Sequence, residues 1–218
     1  MARRYDLIVF DWDGTLLDSA AAIVHAIQAA SRDLGLPAPD DRRARHVIGL
    51  GLEEALRYAV PALAPADYPK MVERYRYHYL TRDHELELFA GAGALVERLA
   101  REGWLLGVAT GKSRHGLARA MAHSGLGAYF DATRCADECF SKPHPAMLLE
   151  LMTVLATDPA RTLMIGDTSH DLEMARNAGV DAVAISHGAH DLASLSALPQ
   201  RACVDSIAAL DRWLAHHA

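Results

Sequence analysis

Three cysteines in 218 residues are too few for a disulfide framework, so an apolar core has to hold the fold together. Cys135 and Cys139 are spaced C-x-x-x-C with no second pair beside them, which speaks against a zinc site. Long hydrophobic runs are also missing, and no segment approaches the roughly 18 apolar residues of a membrane span. The opening stretch, MARRYDLIVFDWDG, has an apolar run too short and too soon acidic for a secretory signal. A cytoplasmic protein is expected. Basic residues are outnumbered, 22 to 28, for a net charge of −6. That balance argues against nucleic acid and anionic membranes as partners, but leaves room for a small anion held by a local cation. The twelve histidines are scattered without an H-E-x-x-H pair and are expected mostly on the surface. No repeat or low-complexity tract occurs.

With 51% hydrophobic and 23% charged residues, the chain has the composition of an ordinary globule. Its length suits one sizeable α/β domain, or a core carrying a smaller insert. One stretch needs explaining first. LGVATGKS, residues 106–113, ends in the letters that close a nucleotide-binding P-loop. The pattern G-x-x-x-x-G-K-[ST] requires glycine where Leu106 stands, and Leu105, Leu106, Val108 and Ala109 read as a buried strand running into Thr110. The nucleotide reading fails, and the segment becomes a strand followed by a helix start.

The same alternation recurs along the chain. Tyr5–Phe10 reads as a central parallel strand, followed by a helical stripe through Ile23, Ile27, Ala30 and Leu34 that Gly35 and Pro37 close. Further helices are expected over 40–47, 52–59 and 68–82, with no convincing strand among them. Beyond LFAGAGA, strands at 104–110, 130–135, 162–165, 182–185 and 202–204 alternate with helices at 95–101, 114–123, 145–155, 171–178 and 207–216. Repeated βα units imply an α/β fold with a doubly wound, mainly parallel sheet, interrupted by an inserted helical segment.

In such sheets ligands bind beyond the carboxyl ends of the strands, and four of those ends are polar. Asp11 and Asp13 follow the first strand and can face one pocket, with Gly14 permitting a sharp turn; two close carboxylates repel unless a cation or proton lies between them. Thr110 offers a hydroxyl and Gly111 an open N–H at a helix start, where anions are favoured, and Ser113 suits an N-cap. Lys142 sits between Ser141 and Pro143 on a stiffened entry turn. Asp167 and Asp171 follow the fourth strand, spaced to hold Mg²⁺ directly and through a water or supporting contact. Together they describe a site for Mg²⁺ and a phosphoryl group.

FDWDGTLLDS, VATGKS, SKPHP and GDTSHD resemble, in order, the four motifs of the haloacid dehalogenase-like hydrolases, in particular their phosphoglycolate phosphatase-like branch. The resemblance covers essentially the whole chain. It implies a Rossmann-like core over residues 1–17 and 89–218, with a helical cap domain over 18–88. It further implies that Asp11 is a nucleophile forming an aspartyl-phosphate and Asp13 a general acid and base. Thr110, Gly111 and Lys142 would hold the phosphoryl oxygens. Mg²⁺ would be bound by Asp11, the Asp13 backbone carbonyl and Asp167, with Asp171 in support. The sequence departs from the branch at Gly111, where many relatives have Asn, and leaves phosphate contact there to the backbone. Lys112 reads either as added positive potential or as an exposed lysine on the first helical turn.

Asp13 argues for phosphoryl chemistry over dehalogenation. A sugar-phosphate mutase and a pyrophosphatase stay open, as does a non-enzymatic receiver-like module phosphorylated on Asp11. Substrate choice is expected to lie in the cap. There Arg45 and the turn at Gly49–Gly51 are candidates, Arg45 reading either as a ligand for a carboxylate such as that of 2-phosphoglycolate or as a surface charge. The expected partner is a small phosphorylated metabolite, and monomer and dimer are equally compatible with the sequence.

Overall fold

The computed structural model describes residues 3–218. Its centre is the strand Leu7–Phe10 (β1), four apolar residues buried on both sides as an interior parallel strand requires. Ile8 and Phe10 point into one apolar cluster, Leu7 and Val9 into another. Around β1 the strands Leu105–Thr110 (β2), Ala132–Cys135 (β3), Thr162–Gly166 (β4), Asp181–Ile185 (β5) and Ala202–Val204 (β6) form one sheet. Its order is β3-β2-β1-β4-β5-β6, and every pairing is parallel. The chain builds outward from β1 on one side, then crosses to β4 and builds outward on the other. The ends of β1 and β4 therefore flank the crevice where order reverses, the favoured ligand position in such sheets.

Helices cover both faces. Ala92–Arg101 and Ile207–His217 contribute Leu95, Val96, Leu99, Leu210 and Leu214 to the first cluster, and Arg114–Ser124 adds Leu117. Ala146–Val154, Ser169–Ala178 and the short Leu192–Ser196 cover the other face through Met147, Leu151, Leu172, Met174 and Leu195. The short helix was not anticipated: its five residues, capped by Asp191, are too few to show a period.

Between β1 and the helix at Ala92 lie four helices, Ala20–Asp33 (α1), Asp41–His46 (α2), Leu52–Ala59 (α3) and Tyr68–Leu80 (α4). They share an apolar cluster of their own, with Ile23, Ile27, Val47, Leu56 and Met71 at its centre. The two chain crossings into this insert run side by side, joined by Asp18 N–H to Glu87 O at 3.0 Å and Phe89 N–H to Leu16 O at 2.9 Å. Elsewhere element bounds shift by a few residues for local reasons. Tyr5 stays outside β1 and donates its hydroxyl to Asp181 at 2.8 Å. The helix expected from Asp171 starts at Ser169 because Thr168 caps it. Among the described residues, no helix is long and apolar enough to cross a membrane.

Candidate active site

The chain leaves β1 at Asp11, whose N–H still bonds Ile165 O at 2.9 Å, and turns at once. Gly14 makes the turn possible on two counts: its φ is +81°, and a Cβ there would lie 2.2 Å from an oxygen of Asp167. The turn brings the ends of β1 and β4 together. Asp11, Asp167, Asp171 and Lys142 are all fully buried. The Lys142 ammonium lies 2.7 Å from Asp11 Oδ1 and 2.7 Å from Asp171 Oδ1. Asp171 Oδ2 accepts the Thr168 N–H at 3.1 Å and hydroxyl at 2.7 Å, in a capping box that fixes the carboxylate to its own helix start. Asp167 accepts the Thr15 hydroxyl on Oδ1 and the Ala189 N–H on Oδ2, both at 2.7 Å.

Three buried carboxylates thus cluster beside one ammonium, which pairs with Asp11 and Asp171. Burial foremost, then Asp171 and Asp167, pushes the Asp11 carboxyl well above the usual range despite Lys142. Burial and Asp171 raise Asp167 to about 7. Lys142 is held above its ordinary value by Asp11 and Asp171, which outweigh its desolvation. Neither oxygen of Asp11 is hydrogen-bonded, and Oδ2 lacks an ion-pair contact as well, an arrangement that is costly unless something binds there. Asp11, Asp167 and Asp171 each present an oxygen within 4.8 Å of the others. An all-oxygen, negatively charged donor set with an orphaned carboxylate oxygen fits a hard divalent cation.

Asp11, Asp13 and Thr110 line a cavity of about 1450 Å³, and Asp167 and Lys142 do not. The insert supplies the opposite wall, including Ile48, Tyr68, Tyr75 and Tyr79. Gly49 and Gly51 are on that wall; Arg45, half-buried on α2, is not. The Gly49–Gly51 turn presses directly on the core. Gly51 N–H bonds the Ser141 hydroxyl at 2.7 Å, and a Cβ on Gly111 would lie 2.4 Å from Leu50 O and 2.6 Å from Gly49 O. Asparagine has no room at 111 because backbone of the insert occupies the space. Ser113 caps the following helix, accepting Gly116 N–H at 3.2 Å.

Two features add to the sequence reading. Lys112 is not an exposed lysine of a first helical turn: it is about nine-tenths buried, with its ammonium 2.9 Å from Asp13 Oδ1 and 3.0 Å from the Tyr79 hydroxyl. The histidines are not all scattered over the surface either. His46, His170 and His190 cluster where insert meets core, and the Nε2 atoms of His170 and His190 lie 2.7 and 3.1 Å from the His46 carbonyl. His190 Nδ1 accepts Ser169 N–H at 3.0 Å, so its proton is on Nε2 and the ring is neutral. Burial lowers His170, and burial with His170 beside it lowers His190 to about 4.

Residues 8–185 match the family described as haloacid dehalogenase-like hydrolase. A probable phosphatase, IndB, of Dickeya dadantii is 37% identical over 206 residues, covering 92% of this chain and 89% of that protein. A phosphoglycolate phosphatase of Cupriavidus necator is 31% identical, covering 95% and 92%. Among solved structures, a predicted phosphoglycolate phosphatase from Haemophilus somnus superposes with a TM-score of 0.85 at 22% identity, covering 97% of this chain and 99% of that one. At that identity the superposition speaks for the fold alone.

Proposed function

The chain belongs to the haloacid dehalogenase-like hydrolases and acts on phosphomonoester bonds, and we propose that it is a cytoplasmic, Mg²⁺-dependent phosphatase of a small phosphorylated metabolite. The reading rests chiefly on the Asp11 carboxylate, which lines the cavity with both oxygens buried and neither hydrogen-bonded, its only close partner being the Lys142 ammonium 2.7 Å from Oδ1.

A carboxylate oxygen of Asp11 attacks phosphorus opposite the ester oxygen, the P–O bond to the alcohol breaks, and Asp13 delivers the proton that the alcohol needs to leave. Asp13 then takes a proton from water as that water attacks the aspartyl-phosphate, releasing phosphate and restoring Asp11. The Ser19 hydroxyl, 2.6 Å away, and Lys112 take up Asp13 Oδ1, leaving Oδ2 to exchange the proton. Thr110, the Gly111 N–H and Lys142 hold the phosphoryl oxygens. Asp11, Asp167 and the Asp13 carbonyl would hold Mg²⁺, which when bound screens the anionic nucleophile from the anionic phosphoryl group. Asp171 supports the set by anchoring Lys142. Residues 18–88 form the cap that keeps bulk water out, joined to a core of 1–17 and 89–218.

The Cupriavidus necator relative supports 2-phosphoglycolate as first candidate. The cavity, at about 1450 Å³, also exceeds the roughly 300–1,000 Å³ of ordinary small-molecule sites, so bulkier esters belong in the same screen. The test is phosphate release from a panel containing 2-phosphoglycolate, sugar phosphates and p-nitrophenyl phosphate, with Mg²⁺ and with chelator. Turnover that needs Mg²⁺ and disappears in Asp11→Asn is expected. A stable phosphoprotein without turnover defeats the reading, and equal rates for 2-phosphoglycolate and generic esters remove that substrate's name.

A further inference from the structure

The hydrolytic scheme above uses one contact of Lys112, the one to Asp13, and leaves its contact to Tyr79 of the insert without a part. The core fixes its backbone: Thr110 Oγ1 accepts Lys112 N–H at 3.2 Å, and Ala136 N–H bonds Lys112 O at 3.1 Å. Its side chain crosses to a carboxylate of the core and to a hydroxyl of the insert. The ammonium donates to Tyr79 Oη at 3.0 Å, sits 4.9 Å from the centre of that ring, and lies 2.9 Å from Asp13 Oδ1. Tyr79 is on α4, where its ring stacks on Tyr75 at 6.0 Å. The other bond to Asp13 Oδ1 comes from Ser19, which precedes α1. Both contacts on this oxygen therefore lead into the insert, one directly at its entry and one through Lys112 to its last long helix.

This arrangement has a chemical consequence. A carboxylate held at Oδ1 from two directions cannot rotate, so the position of Oδ2 relative to a leaving oxygen is set by Lys112 and Ser19. We propose that Lys112 is a positioning residue for Asp13 and couples that positioning to docking of the insert through Tyr79. The proposal rests on the phosphatase reading and assigns Lys112 to the proton-transfer half of the reaction rather than to phosphate binding. Burial alone would discharge the lysine; Asp13 and Tyr79 hold it above its ordinary value, so it stays cationic in this role.

The test uses two esters that differ in their need for a proton. Glycerol 2-phosphate releases an alkoxide that must be protonated, whereas p-nitrophenyl phosphate releases a stable phenolate. Because kcat/KM stops at the first irreversible step, it isolates the acid's part from later hydrolysis of the intermediate. Lys112→Met is expected to lower kcat/KM for glycerol 2-phosphate by about 10²-fold and for p-nitrophenyl phosphate by less than about fivefold. Tyr79→Phe removes one oxygen and keeps the ring, so it tests the assignment without depending on how Lys112→Met folds. It should show the same selectivity at smaller amplitude, and the double variant should be no worse than Lys112→Met alone. Equal losses for both esters would return Lys112 to phosphate binding or plain structure and overturn the proposal. So would strictly additive losses, or a Tyr79→Phe enzyme identical to wild type on both esters. Wild-type turnover of the two esters in the same assay tests the phosphatase reading separately.

Discussion

Lys142 and Asp11 form a fully buried ion pair, Nζ 2.7 Å from Oδ1, and the same ammonium lies 2.7 Å from Asp171. Among the described residues, the lysine is thus the one cation paired into this trio of buried carboxylates. Removing one partner of a buried pair commonly costs about 3–5 kcal/mol because the other is left uncompensated. Lys142→Met should destabilise the metal-free protein by that order in urea unfolding at pH 8. The loss should shrink near pH 5.5, where Asp167, raised to about 7, carries a proton. Turnover should fall by about 10²-fold or more. A variant as stable and active as wild type would remove Lys142 from the site's electrostatics.

Metal binding and pH should be linked through the same cluster. A carboxyl raised to about 7 in the fold, against its ordinary value of 3.8, stabilises the protein fully below the lower value. That contribution is lost as pH rises through about 7, so the metal-free protein should melt at lower temperature as pH climbs from 5 to 8. A divalent cation has to displace the proton from Asp167. Below pH 7 its midpoint concentration should therefore rise by about tenfold per pH unit, while above pH 8 it should level off. Thermal melts across a Mg²⁺ series at pH 5.5, 6.5 and 8 measure both effects. A pH-independent midpoint would show that Asp167 is not among the ligands.

Where sequence reading succeeded and failed follows from the range of the interactions. Interior parallel strands such as β1 and β4 are continuous apolar runs, and the groups at their ends stand beside them in sequence. Asp11, Asp13, Thr110 and Asp167 are therefore visible in the sequence as polar strand ends, and it is their joint order and the family resemblance that give them expected roles. Gly111 could be noticed as a departure, but its cause is a carbonyl of Leu50, some 60 residues away in the chain. The place of Lys112 depends on how α4 docks, and the histidine cluster joins positions 46, 170 and 190; no periodicity encodes either. One signal was available for Lys112. Only three of the 22 basic residues are lysines, and two of those three lie in VATGKS and SKPHP.

The histidine cluster gives a pH dependence of opposite sign. His190, neutral in the fold and lowered to about 4 from an ordinary 6.5, binds fewer protons folded than unfolded between those values. Stability is thus lost as pH falls from about 6.5 toward 4, on the order of 3 kcal/mol over the whole window. His190→Asn keeps an acceptor for Ser169 N–H but cannot titrate. Compared with wild type, it should be less stable at pH 7.5, for want of the bond to the His46 carbonyl, and should lose less on acidification to pH 5. Chemical denaturation of both proteins at the two pH values gives the difference free of the carboxylate contribution they share. Parallel curves would show that the ring does not titrate in this way.

Gly111 decides whether the docked insert is the working state. A methyl group there would meet two backbone carbonyl oxygens, at 2.4 and 2.6 Å, and neither can swing aside as a flexible side chain would. Gly111→Ala must therefore lift the Gly49–Gly51 turn or shift the loop after β2. Such overpacking typically costs about 1–3 kcal/mol. Concentrated on docking, it would weaken the closed arrangement by roughly ten- to a hundredfold. Proteolysis near residues 46–51 should quicken, and kcat/KM for an alkyl ester should fall with it, because Lys112 and Asp13 lose Tyr79 when the insert moves. Gly111→Asn should be worse, because its side chain is larger still. If Gly111→Asn were instead fully active with unchanged proteolysis, the turn would have room to yield, and the close approach of Leu50 would not belong to the state that turns over.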